Sequence, residues 1–548
     1  MVRGVRFTRP EHARLIHTRP IHTRPIHAAP VPAYTGRMLR SVFTVGGWTM
    51  ASRILGFARD MLIAARLGAG PVADAFFIAL KLPNLFRRLF GEGAFNAAFV
   101  PAFAGTFALD GPAKARALAN SLAGLMSIWL ACLVILGIVF MPQLLFVLAP
   151  GFSGERLALA IEMTRISFPY LLFICLAALV SGVLNGMNRF AAAAAAPVLF
   201  NLIAMAALLG LTPFVATPGH ALAWGVMVSG IAQLALLLVA VRAAGMAINP
   251  LSRPRMTPDV TGVLKRMVPG LFGAGVTQLN LAIDVVLASL LPAGAVSYLY
   301  YADRVAQLPL GVIGAAIGTA LLPLLARQLR TGRRLAAHRS QNRALELSMA
   351  FALPAACAMA VTAGPIIATL FERGLFDARA SAATAAALVA GAFGLPAFVL
   401  VKALTPGFFA RGDTATPVKV GLGIVALNLA LNLALIPFLA HVGIALATSI
   451  AAWVNVAVLG LLLTRRRQLV LDRRLRRRAP RLLAAALVMG CVLLALNMAL
   501  FPQPGPLARF LALALLIAAG LVTYFGTAHA LRGLDLREAA RMMRRRSG

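Results

Sequence analysis

Three charged residues interrupt an apolar stretch near the start of the chain. Residues 41–66 read SVFTVGGWTMASRILGFARDMLIAAR and place Arg53, Arg59 and Asp60 in a run long enough to cross a bilayer. On a helix Arg53 and Asp60 share a face, Gly56 lies near that face and leaves room for a ligand or another helix, and Arg59 points about a third of a turn away. The next apolar stretch, DAFFIALKLPNLFRRLFGEGAF (74–95), carries Asp74, Lys81, Arg87, Arg88 and Glu92, with Lys81 and Arg88 on one face. Later segments supply Asp284 and, in YYADR, Asp303 and Arg304. A charge at mid-membrane costs about 2.5–3.5 kcal/mol on insertion scales, so such residues face a protein interior or a wet cavity. Arg53, Arg59, Lys81, Arg87, Arg88 and Arg304 outnumber the nearby acids. A cavity with surplus arginine selects an anion, and the planar guanidinium fork suits phosphate oxygens. The alternative is that several pair internally, or that Arg87 and Arg88 snorkel to an interface.

A second group is poor in charge and rich in oxygen. Asn428 and Asn432 are four apart on one helical face, and Thr448 follows on the next helix. With Asp284 they form a candidate Na⁺ site; the alternative is that the amides simply bond neighbouring helices. No Walker A pattern, catalytic triad or HExxH motif occurs in the sequence. The expectation is therefore a protein that is not an enzyme, holds no catalytic metal and needs no cofactor beyond a coupling ion such as Na⁺. An ion gradient, a substrate gradient or the membrane potential, about 2.3 kcal/mol per charge per 100 mV, would drive it.

The elements that must position these residues are membrane helices. The chain has 548 residues, 60% of them hydrophobic and only 13% charged, with a mean hydropathy of +0.85. A soluble protein of this size would need more charge to cover its surface, and long unalternating apolar runs exclude a barrel. The net charge of +35 does not indicate nucleic acid, because the arginines cluster between apolar segments, as the positive-inside rule predicts. Fourteen spans are expected, at about 40–67, 72–108, 115–148, 156–187, 191–214, 219–243, 261–291, 295–329, 342–372, 378–409, 415–438, 441–464, 481–500 and 507–530. Pro83, Gly91 and Gly93 are expected to break the second. Basic loops at 253–266, 327–343 and 465–481, and the tail RMMRRRSG, fall on one side and make both termini cytoplasmic. Residues 1–37, with IHTRP twice in tandem, contain no apolar core of a signal peptide. They read as a disordered extension, or as sequence upstream of a true start at Met38. The four cysteines read as small buried hydrophobes without metal spacing.

The chain also repeats itself. RDMLIAARLGAG (59–70) aligns with IDVVLASLLPAG (283–294), PVLFN (197–201) with PVKVG (417–421), and Val100-Pro101 with Leu322-Pro323, all at an offset of about 222 residues. Such a unit holds six helices, an even number, so the two halves keep the same topology about an axis along the membrane normal. The expected fold is an all-α polytopic membrane protein. Two six-helix lobes, 38–250 and 251–464, form a parallel pseudo-repeat, and residues 465–548 add a basic loop, two helices and a tail. Two lobes around a cleft is the geometry of alternating access.

Several stretches carry a family resemblance. SRILGFARD (52–60), ADAFFIALKLPNLFRRLFGEGAFNAAFVP (73–101), YYADRVAQLPLGVIGAAIGTALLP (300–323) and PGFFARGDTATPVK (406–419) resemble the lipid II flippase family, MurJ/MviN, of the multidrug/oligosaccharidyl-lipid/polysaccharide exporter superfamily. The resemblance implies a bacterial inner-membrane protein that moves undecaprenyl-pyrophosphoryl disaccharide-pentapeptide outward for peptidoglycan synthesis. By motif position it implies functional roles for Arg53, Arg59, Asp60, Asp74, Arg87, Glu92 and Arg304, and Arg88 joins them from its place in the second stretch. Partners would be that lipid, the surrounding membrane lipids and other peptidoglycan-synthesis proteins. Competing readings are an exporter of another polyprenyl-pyrophosphate-linked glycan, a cation-coupled drug antiporter, and a membrane scaffold.

Overall fold

The computed structural model describes residues 34–88, 94–501, 503 and 505–534. The expectations for residues 1–33, for Glu92 and for the arginine-rich tail lie outside the described residues. In chain order the helices are α1 (Tyr34–Leu67), α2 (Pro71–Phe86), α3 (Ala94–Leu109), α4 (Pro112–Val139), α5 (Met141–Leu148), α6 (Gly154–Ser167), α7 (Tyr170–Gly186), α8 (Ala191–Gly210) and α9 (Pro218–Ala243). They continue as α10 (Pro258–Ser289), α11 (Ala295–Arg330), α12 (Arg334–Val361), α13 (Ala363–Phe371), α14 (Ala378–Phe409), α15 (Ala415–Arg465), α16 (Arg473–Leu500) and α17 (Pro506–Ala530). Helices predominate because a membrane offers the backbone no water, so its N–H and C=O groups must bond within the segment.

Local chemistry sets the ends. Proline opens α2, α4, α9, α10 and α17, where its missing N–H costs nothing. Thr217, Thr257, Asp377 and Asp472 cap α9, α10, α14 and α16 by accepting from backbone amides in the first turn. Proline inside a helix orphans the carbonyl four residues earlier, and here side chains from other helices take two of these carbonyls. Opposite Pro83, the Ser167 hydroxyl donates to Ala79 O at 3.3 Å. Opposite Pro354, the Tyr524 hydroxyl donates to Ala350 O at 2.6 Å and ties α17 to α12. Pro83 therefore does not break the second span: α2 runs through it to Phe86.

Among the described residues, nine segments are long and apolar enough to cross a membrane by length and composition. The second, third, fourth and ninth expected spans each run as two helices: α2 with α3, α4 with α5, α6 with α7, and α12 with α13. Conversely α15, 51 residues long, joins the eleventh and twelfth at a kink at Ala440, whose φ of 47° lies outside the usual range of alanine. A Cβ on Gly443 would come within 2.9 Å of the Leu435 backbone, so the chain doubles closely on itself there. Two cysteines depart from expectation: Cys175 is buried and Cys357 half-buried, but Cys132 and Cys491 are exposed.

The element pattern recurs along the chain. A 28-residue helix followed by a short one occurs at α4–α5 and again at α12–α13, starting 222 positions apart at Pro112 and Arg334. Contacts recur as well: α1 packs on α8 as α10 packs on α15, and α2 packs on α6 as α11 packs on α14. The two series meet where α10 touches α3 and α11 touches α2. The last pair packs on itself, with α16 against α12 and α17 against α13. Leu482, Ala485, Met489, Leu493 and Leu516 form its apolar seam.

Candidate anion and cation sites

α1 and α11 converge on one carboxylate. Asp60 is 2% exposed and accepts from the Arg59 guanidinium at 2.7 Å and 3.1 Å. Its other oxygen lies 3.3 Å from Nε of Arg304 on α11. Tyr300 completes the group: its hydroxyl donates to Asp60 at 3.3 Å, accepts from Arg304 Nη2 at 2.9 Å, and its ring stacks on Phe77 of α2 at 3.8 Å. Two guanidiniums thus share one carboxylate, and the group keeps a net positive charge.

The two arginines differ in access. The Arg59 side chain is buried in an apolar recess lined by Ile63, Phe76, Phe200 and Leu222, and its guanidinium lies 5.3 Å from the Phe200 ring centre. This corrects the expectation that Arg59 faces the cavity: its charge is held by Asp60 and the Phe200 face. The Arg304 side chain remains 34% exposed.

Arg53 lies one to two turns before this group on α1 and is exposed. It lines a cavity of about 410 Å³ with Ser52, Ser181 and Asn185, and its guanidinium reaches across to α11, 3.0 Å from where a Cβ on Gly311 would stand. The space beside Gly56 is filled by a helix: the Asn201 amide of α8 lies there and donates to Ser52 O at 3.0 Å. On α2, Lys81 is half-buried in the field of Asp303, Arg304, Arg88 and Asp284. Just beyond α2, Arg87 donates to Asn84 at 3.1 Å, and Arg88 is exposed.

Asp74 stands apart from this group. It is fully buried at the start of α2 and accepts from Gly294 N at 2.7 Å, Ser297 N at 2.8 Å, Ser297 Oγ at 2.5 Å and Arg156 at 2.6 Å. Arg156 also donates to Leu291 O at 3.2 Å and lies over the Phe152 ring at 3.8 Å. Asp74 therefore joins α2, α6 and the first turn of α11 instead of lining the chamber. Arg156, Ser297 and Tyr300 are absent from the sequence-derived set because single polar residues at helix ends carry no local signal.

The four oxygen-bearing residues of the second group do meet. Asn432 donates to Asp284 at 3.2 Å, Thr448 donates to the other Asp284 oxygen at 3.4 Å, and the Asn428 amide lies 3.1 Å from the Thr448 hydroxyl and 3.0 Å from Asn432 Nδ2. Asn428 and Asn432 are both essentially fully buried, and Asn432 Oδ1 has no hydrogen-bond partner.

A family profile described as "Lipid II flippase MurJ" matches residues 63–515. The chain belongs to the lipid II flippase MurJ family. A "Probable lipid II flippase MurJ" of Rhizobium tropici is 42% identical over 519 residues, covering 93% of this chain and 97% of the relative. The "Lipid II flippase MurJ" of Burkholderia cenocepacia is 38% identical, covering 78% of this chain and 84% of the relative. Solved structures show the same fold. "Lipid II flippase MurJ, inward closed conformation" superposes with a TM-score of 0.73 at 24% identity over 88% of this chain and 97% of that one. An inward-facing multidrug resistance MATE family transporter of the MOP superfamily gives 0.65 at 14% identity over 78% of this chain and 98% of that one. The match to the MurJ family and to this fold agrees with the resemblance carried by the motifs in the first two spans and in α11.

Proposed function

We propose that this chain is a flippase that moves lipid II, the undecaprenyl-pyrophosphate-linked disaccharide-pentapeptide, from the cytoplasmic to the outer leaflet of the bacterial inner membrane by alternating access. The observation that carries this reading is the family match, which spans most of the chain. The protein is a transporter and catalyses no covalent step. Its two helical series act as lobes, with the headgroup crossing between them while the polyprenyl tail stays in lipid. Both termini are cytoplasmic, as the basic loops require.

The pyrophosphate is held by cavity arginines. The net positive charge left when Arg59 and Arg304 share Asp60 supports this assignment, as does the exposure of Arg304. Asp60 keeps both guanidiniums ordered when the site is empty, and Arg87, Arg88 and Glu92 serve the same passage. Na⁺ is the coupling ion, bound by Asp284, Asn428, Asn432 and Thr448. A carboxylate, two amides and a hydroxyl form a hard-oxygen donor set. The unpartnered Asn432 oxygen supports this fit, because a buried acceptor without a donor invites a cation.

The test is lipid II exposure at the outer leaflet of cells depleted of their own flippase and expressing this chain. Restored exposure, lost again on Arg304→Ala while the protein still accumulates, is the expected outcome. Normal growth of that variant would remove Arg304 from the anion site. No restoration by the well-expressed parent chain would favour another polyprenyl-linked glycan.

A further inference from the structure

One cation on the second series of helices has no place in the sites above. Lys402 sits on α14 in the run FVLVKALTPGFF, as isolated among apolar residues as Arg53 is on α1. It is exposed, but not on the outer side of its helix. Val389 and Phe393 are large exposed apolar residues that mark the outer side of α14. Lys402 follows Phe393 by nine positions, which at about 100° per residue brings it half a turn round, onto the opposite side. There its ammonium nitrogen lies 2.8 Å from where a Cβ on Gly314 of α11 would stand.

Gly314 is one turn beyond Gly311, against which the Arg53 guanidinium rests. A side chain at either position would occupy the space of a cation, so the two glycines form a notch in α11 with a charge at each end. Neither Arg53 nor Lys402 has an acid partner among the described residues, whereas Arg59 and Arg304 both contact Asp60. Cβ positions three apart on a helix are about 5–6 Å apart. Adding the two contacts of 3.0 Å and 2.8 Å puts the cationic groups at most about 12 Å apart.

We propose that Arg53 and Lys402, one from each helical series, form a two-ended clamp across the Gly311–Gly314 notch that recognises a diphosphate in preference to a monophosphate. At that limit, hydrogen bonds of about 2.9 Å at each end leave up to about 6 Å between the two bound oxygens. Oxygens on adjacent phosphates lie farther apart than oxygens on one phosphate and so bridge more of that gap. The clamp rests on the flippase reading and deepens it. It assigns the unpaired charge to the diphosphate and leaves Arg59 and Arg304 as the Asp60-ordered wall beside it. Because its ends belong to different series, any motion that separates α1 from α14 opens the clamp and releases the anion.

The test uses the purified full-length chain with heptaprenyl diphosphate and heptaprenyl monophosphate as probes, measuring affinity and Tm together. Lys402→Gln is expected to weaken diphosphate binding about tenfold, the size of one charge-assisted hydrogen bond, with Tm unchanged. Its monophosphate affinity stays within about twofold, one group being held by Arg53 alone. Lys402→Arg keeps the diphosphate preference. Lys402→Met, which preserves the length of the stem, repeats the loss if Lys402→Gln accumulates poorly. Parent-like diphosphate affinity in Lys402→Gln, with loss in Arg304→Ala, would overturn the clamp and leave the flippase reading standing. An equal loss for both probes would also overturn it. A parent chain that binds neither probe would count against the flippase reading itself.

Discussion

Asp74 and Ser297, 223 positions apart, are joined by two hydrogen bonds to one carboxylate oxygen, from the Ser297 amide at 2.8 Å and its hydroxyl at 2.5 Å. The other oxygen takes Gly294 N and Arg156. A fully buried carboxylate is tolerated here because four donors replace its water. The contact joins the first helical series to the start of α11.

Removing that carboxylate takes from Arg156 its acidic partner, and from two amides and the Ser297 hydroxyl their acceptor. Asp74→Ala is expected to destabilise the protein by about 3 kcal/mol, the usual cost of breaking a buried ion pair. Asp74→Asn, which keeps an acceptor oxygen, loses less. Thermal unfolding of the purified variants checks this. A Tm for Asp74→Ala equal to that of the parent would show that the contact contributes nothing to this state.

Sodium should stabilise the folded chain through Asp284, Asn428, Asn432 and Thr448. A ligand that binds only the folded state adds about 2.7 kcal/mol at a hundred times its Kd. Exchange of choline chloride for sodium chloride at constant ionic strength is therefore expected to raise Tm in the parent chain. The rise disappears in Asp284→Asn and shrinks in Asn432→Ala. An equal rise in parent and Asp284→Asn would place any sodium effect elsewhere.

Asp413, in the connection between α14 and α15, has a pH dependence of known sign. The Thr416 amide at 2.9 Å and hydroxyl at 2.7 Å, with Arg466 at 2.7 Å, hold its carboxyl down at about 2. A depressed carboxyl stabilises the fold above its unfolded value, near 4, and this contribution is lost as pH falls through about 2. Carboxyl NMR with ¹³C-labelled aspartate should find Asp413 still ionised at about pH 3, where a free aspartate is mostly protonated. An Asp413 signal that titrates near 4 would show that the Thr416 bonds do not persist.

Much of the site was legible because charge in an apolar helix is conspicuous. Arg53, Asp60, Asp284 and Arg304 stand out in any hydropathy reading, since each costs free energy that something must offset. The amides four apart at Asn428 and Asn432 were visible for the same reason. Lys402 carried that signal too, and the small-residue spacing of Gly311 and Gly314 lay opposite it. Arg156, Ser297 and Tyr300 could not be found this way. Each lies near a helix end or beside another polar residue, where a charge or hydroxyl is ordinary, and its meaning comes from a partner on another helix.

The sequence by itself determined the class of molecule: apolar runs of membrane length, a duplicated helical plan and cations that must be satisfied inside it. These follow from local hydrophobicity and the cost of burying charge, which need no knowledge of neighbours. Only the tertiary structure decided which cations are paired. It buried Arg59 against Phe200 and Asp60, took Asp74 away to Ser297 and Arg156, and brought Arg53 and Lys402 to the same notch of α11. The physical reason is range: burial is a property of one segment, whereas an ion pair depends on two atoms a few ångströms apart that the chain separates by up to hundreds of residues.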